Sequence, residues 1–153
     1  MEPENDQDQV REAQQRMVVV WGALLTSQFI FLMVLYLIKK ELFHVDLSQP
    51  LGGKNPLMVA IAAVMSLTTL GLSFALQARM FKQAEADQDI AVVQTALIVS
   101  CALCESISLV GFILAMLIDY QYFFIWFAAG ILGILLHFPR RKNIERAHYK
   151  HEL

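Results

Sequence analysis

Four long runs of apolar residues, separated by short polar stretches, set the pattern of the chain. Met17–Ile38 carries no charge and has Thr26-Ser27-Gln28 at its centre. Leu57–Leu76 follows a loop with turn signals at Gln49-Pro50 and Leu51-Gly52-Gly53, and Pro56 is placed to start the helix. Ala91–Ile118, about 28 residues long, is reached through the polar segment Gln77–Ile90. Tyr122–Phe138 is stopped by Pro139 and Arg140-Arg141-Lys142. At about 1.5 Å per residue, runs of this kind approach or exceed the roughly 30 Å of a bilayer core. The pattern predicts an all-α integral membrane protein of four antiparallel spans, 17–38, 57–76, 91–118 and 122–138. Asp119-Tyr120-Gln121 is too short a link for anything but an antiparallel hairpin. Residues 1–16 lack an apolar stripe and fit either a disordered tail or a helix starting near Pro3 and Asn5. Residues 139–153 form a basic C-terminal tail.

Composition agrees, with 57% hydrophobic and 17% charged residues against roughly 45–50% and 25% in soluble domains. A net charge of −2 gives no argument for a nucleic-acid partner. The acidic, Gln-rich start has no basic region ahead of an apolar core, so no cleaved signal peptide is expected. Lys and Arg fall nine on the side of the termini and the 77–90 segment, against Lys39, Lys40 and Lys54 on the other. Both termini are therefore expected in the cytoplasm, with the chain in the inner membrane of a bacterium. Trp21, Tyr36, Tyr120, Tyr122 and Trp126 lie near span ends, where interfacial aromatics concentrate.

One residue disturbs this apolar picture. Glu105, the only charge in Ala91–Ile118, stands near its midpoint, where acidic and basic side chains cost about 2.5–3.5 kcal/mol on translocon scales. Helical spacing puts Gln94, Cys101 and Ser108 on its face, then Phe112 and Asp119. The second span carries its own small, polar stripe, Ala62, Ser66, Thr69, Ser73 and Gln77, suited to close helix packing. These two stripes are expected to meet, with the carboxyl near Ser66 or Thr69 in depth and Gln28 able to offer an amide. Cys101 and Cys104 have the CxxC spacing of redox or metal sites, but inside an apolar helix without paired ligands they read as small core residues. His137 reads as interfacial. No HExxH, nucleophile–acid pair or Gly-rich phosphate loop suggests an enzyme.

The second hairpin, about residues 57–118, resembles the ring-forming c subunit (proteolipid) of rotary ATP synthases. The resemblance rests on two spans joined by Gln77-Ala78-Arg79-Met80-Phe81-Lys82-Gln83, on Ala102-Leu103-Cys104-Glu105-Ser106, and on the apolar run Gly111-Phe112-Ile113-Leu114-Ala115. The family's Gly-x-Gly repeat is absent, leaving Gly71 alone in the second span, and Lys82-Gln83-Ala84 stands where the family has an Arg-Gln-Pro turn. The resemblance implies a mid-membrane carboxylate that binds and releases a proton, or sodium with help from Ser106. It also implies a homo-oligomer or an assembly with other membrane subunits, and no cofactor beyond the ion. The other expectation, drawn from the residues alone, is a structural or assembly protein in which Glu105 is an interhelical hydrogen-bond partner.

Overall fold

The computed structural model describes residues 2–44, 46, 48–139 and 144. The main elements among the described residues are four helices: α1 (Glu2–Ile38), α2 (Pro56–Asp87), α3 (Ile90–Ile118) and α4 (Phe124–Leu136). Single 3-10 turns, Lys40–Phe43 and Gln121–Phe123, follow α1 and lead into α4. α1, α2 and α3 each hold a stretch long and apolar enough to cross a membrane, whereas α4 is a shorter apolar helix. Side chains such as Val19, Leu57, Leu67 and Leu117 are 70% or more exposed. An apolar exterior on this scale marks a surface made for lipid or for partners. The basic tail predicted for 139–153 lies outside the described residues, apart from Pro139 and Ile144.

At the N-terminus one of two expected conformations is adopted, and at the end of α2 the boundary differs from the sequence reading. α1 starts at Glu2, so of the two conformations open to residues 2–16 the helix is the one adopted. α2 runs on to Asp87, and the polar segment expected to connect the second and third spans is helix for most of its length. Residues 77–87 contain neither Gly nor Pro and are rich in strong helix formers, so nothing ends the helix there. It stops at Gln88, which takes the left-handed conformation (φ 52°) and donates its N–H to Ala84 O. Asp89 then caps α3, its carboxylate accepting from Ala91 N at 2.8 Å. The turn is thus two residues long. Beyond the apolar spans the two extensions bury Val10, Met17 and Ala84 with Val93, Leu97 and Ile144, forming a small helical headpiece at the end of the molecule that holds the N-terminus.

α3 is the central helix, in contact with each of the other three, and α1 also packs on α4. The α3–α4 seam is the tightest. A Cβ on Gly130 would lie 2.8 Å from Cys104 O, and one on Gly111 would lie 3.0 Å from Phe123 O. Close approach of this kind is how small residues let membrane helices pack without a hydrophobic drive between them. At the loop end, three of the aromatics noted near span ends are tied into the protein. Tyr120 and Tyr122 are buried and donate to Leu51 O and Gln49 O, each at 2.7 Å, and Trp126 Nε1 donates to Ser66 Oγ at 3.0 Å.

The same end carries an ion pair between Lys39 and Asp119, with Lys54 at 4.0 Å and Lys39 Nζ also donating to Met116 O at 3.1 Å. The hydrogen bond from Lys39, then its charge, hold the Asp119 carboxyl below the ordinary carboxylate range. A lowered folded-state value means that the contribution is present above the ordinary Asp value of about 3.9 and is lost as pH falls through the lowered one. Wild type is expected to lose thermal stability on acidification below about pH 4 more steeply than Asp119→Asn. Asn accepts the left-handed backbone that Asp119 adopts (φ 53°), so the comparison isolates the charge. Parallel acid slopes of the unfolding temperature for the two proteins would remove the ion pair from the account.

Candidate functional site

Glu105 stands in mid α3 and is half-buried. It borders the outward face of that helix, where Ile98, Ala102, Leu109 and Ile113 are exposed. Its hydrogen-bond partner comes from α1, not from the α2 stripe expected to meet it. Ser27 Oγ lies 2.5 Å from Glu105 Oε1 and 2.7 Å from Leu24 O. A hydroxyl has one proton to give, and two arrangements satisfy this geometry. With Glu105 ionised, Ser27 donates to the carboxylate. With Glu105 protonated, the carboxyl donates to Ser27 Oγ and the hydroxyl donates to Leu24 O. The pair can therefore hold or release a proton without moving a side chain.

Of the other predicted site residues, Ser66 is taken by Trp126. Ser106 donates to Leu103 O of its own helix at 2.7 Å, as hydroxyls in membrane helices commonly do. Gln94 and Thr69 are half-buried, and Cys101 is a free, fully buried thiol. Gln28 and Ser108 are brought close to the carboxyl in depth. The contacts Ser27–Glu105 and Lys39–Met116 show that α1 and α3 run in the same direction. At about 1.5 Å per residue, Gln28 and Ser108 then lie within roughly 3 Å of each other along the axis. Both are fully buried, and neither amide atom of Gln28 nor Ser108 Oγ has a hydrogen-bond partner among the described residues.

Unpartnered buried polar atoms cost about 1–3 kcal/mol per group. Gln28→Leu keeps the volume close and removes two of them, so it should raise the unfolding temperature in mild detergent, a gain of about 1–2 kcal/mol. A lower unfolding temperature would show that the amide has a partner in solution.

A second polar cluster lies beside it, on the headpiece side of α3. Cys104 Sγ is 3.6 Å from Ser73 Oγ and 3.9 Å from His137 Nδ1, and Ser100 Oγ donates to Ser73 O at 3.3 Å. His137, expected at the interface, is 1% exposed. Its ring stacks on Phe74 with centroids 4.5 Å apart, and Nδ1 lies 2.6 Å from Gly133 O. Sequence reading missed Ser27 and His137. Ser27 stood in view within Thr26-Ser27-Gln28, and only the rotation of α1 selects it. His137 carried a usable signal, being four residues beyond Gly133 and two before Pro139, the place of a helix C-cap. No family model matches the chain, and no curated protein or solved structure is similar to it.

Proposed function

We propose that this chain is a membrane subunit in which Glu105 binds and releases a proton at mid-membrane depth, working with further copies or with other membrane subunits. α4 serves as the fourth, short span, and both termini face the cytoplasm, a reading supported by the nine-to-three distribution of Lys and Arg. The observation that carries the reading is the Ser27–Glu105 pair: a half-buried intramembrane carboxyl at the edge of an outward face, with a partner hydroxyl that suits both protonation states. An intramembrane acid is a functional residue by default. Proton fits better than sodium, because a sodium ion needs several oxygen ligands and, among the described residues, Ser27 is the side chain bonded to Glu105.

The test is chemical. A hydrophobic carbodiimide, which attacks protonated carboxyls in lipid, should modify Glu105 in membranes while sparing the aqueous acids. Sodium should not slow the reaction. Absence of adduct at Glu105 in the intact protein would sink the reading. The same bond also supports a structural role, since it ties α1 to α3; that alternative makes Glu105 a fixed interhelical partner with no exchange.

A further inference from the structure

At the loop end, α2 and α3 leave a groove of about 190 Å³ between them. Met58, Ile61 and Met65 of α2 form one wall, Ile113 and Leu117 of α3 the other, over buried Ala62. From Pro56 to Met65 it runs about 14 Å along the helix, close to half of a bilayer core of roughly 30 Å. The five wall side chains are each 45% or more exposed, so the groove opens sideways to whatever surrounds the spans. Its volume over that length suits one extended hydrocarbon chain, and not a helix about 10–12 Å across. Membrane helices that pack closely do so over small residues or through interhelical hydrogen bonds, and these five side chains offer neither. Methionine, unbranched and with three rotatable bonds, adjusts to a chain that moves.

Charge stands at the mouth of the groove. Lys54, two residues before α2 begins, comes within 4.0 Å of Asp119 Oδ2 at the end of α3, so its ammonium spans the gap between the two walls. Asp119 is also paired with Lys39. Two cations therefore flank one carboxylate, and the Lys54 side chain is 71% exposed. The Asn55 side chain makes no cap bond and the first turn of α2 holds no acid, which leaves the positive end of that helix dipole open beside Lys54. The loop fixes the place of this lysine. Tyr120 and Tyr122 hold Leu51 O and Gln49 O, and a Cβ on Gly53 would lie 3.1 Å from the Tyr120 ring.

We infer that this groove binds one anionic phospholipid of the bilayer, with an acyl chain between α2 and α3 and the phosphate against Lys54. An aliphatic trough that ends in a cation matches a molecule apolar for the depth of one leaflet and anionic at its head. A zwitterionic lipid fills the trough equally well but brings its own cation to Lys54, so the preference for a net negative headgroup rests on that residue. One lysine beside an anionic lipid is worth about fivefold in binding. The site makes no use of Glu105.

The experiment uses the full chain in nanodiscs of phosphatidylcholine. Phosphatidylglycerol carrying a photoreactive diazirine midway along one acyl chain is added, and adducts are mapped by peptide mass spectrometry. Labelling of Ile61, Met65 and Ile113 should exceed that by the matched phosphatidylcholine probe about fivefold. Lys54→Gln should bring the two probes to the same yield there. Lys40→Gln, which removes the ammonium over the Tyr36 ring, should leave the preference intact. Ile61→Phe, at an outward position, should fill the groove and cut labelling of Met65 and Ile113 by both probes. Equal labelling of wild type by the two probes overturns the proposal. So does an equal loss of preference in Lys54→Gln and Lys40→Gln, the mark of a diffuse surface charge. A groove that neither probe labels overturns it as well, and discs found to hold two chains would then name a second copy as the occupant.

Discussion

Gly130→Ala should cost the bundle about 3 kcal/mol, the upper end of what overpacking takes. Without a shift in the structure, the new methyl would stand 2.1 Å from Ser108 Oγ and 2.8 Å from Cys104 O. The hydroxyl can rotate away, but the carbonyl belongs to the backbone of α3, so the helices themselves must separate. Separation would pull Gly133 off Cys104 and Trp126 off Gly111, since a Cβ at those two glycines would also fall inside 3 Å of the facing side chain. Gly22 and Gly71 supply the control. Nothing lies within 4 Å of a Cβ at either, and Ala is the better helix former by about 1 kcal/mol. Thermal unfolding in mild detergent, read by tryptophan fluorescence, should drop for Gly130→Ala and hold or rise for Gly22→Ala and Gly71→Ala. A Gly130→Ala protein that melts with wild type would mean that the α3–α4 seam is looser than described.

The second large effect falls on activity. Glu105→Gln is expected to fold as wild type does, because an amide N–H can donate to Ser27 Oγ as the protonated acid does, leaving the hydroxyl free for Leu24 O. It cannot lose that proton, so proton flux through the assembled complex should disappear. Glu105→Leu loses the bond as well, which in membrane proteins averages about 0.6 kcal/mol, and loses flux equally. The diagnostic is therefore the Gln variant: normal stability with no flux for a proton carrier. A structural tie predicts otherwise, with Gln functional and only Leu impaired. Flux retained in the Gln variant ends the carrier reading.

The apolar runs were legible because lipid imposes one strong rule, that long stretches must be apolar and helical. Pro56 marked the start of α2, and Asp119-Tyr120 the hairpin between α3 and α4. The extensions of α1 and α2 were less visible, since each buries few apolar side chains, chiefly Val10 and Ala84, too sparse a pattern to stand out among Gln, Glu and Asp. The site was half legible. Glu105 declared itself by its charge, but its partner depended on how each helix is rotated, and rotation is set by packing. Gly130 and Gly133 pull α3 onto α4 through Cys104 and Ser108, which turns the neighbouring Glu105 toward α1 and away from Ser66 and Thr69. Where a polar segment was expected to connect the second and third spans, the chain has a helical arm ending in a two-residue turn.

The short α4 makes the four helices unequal walls. Its 13 residues rise about 20 Å, against about 43 Å for the 29 of α3. With α4 as the proposed fourth span, a bilayer core near 30 Å cannot meet both without tilt or local thinning. The lipid film should therefore dip on the α4 flank, drawing water toward Trp126 and His137 while the α3 flank stays thick. Hydrophobic mismatch of this kind gives the molecule a preferred side. Short-chain lipids or a thin-waisted neighbour should gather at α4, and reconstitution into bilayers of graded chain length would read that preference as a graded change in tilt.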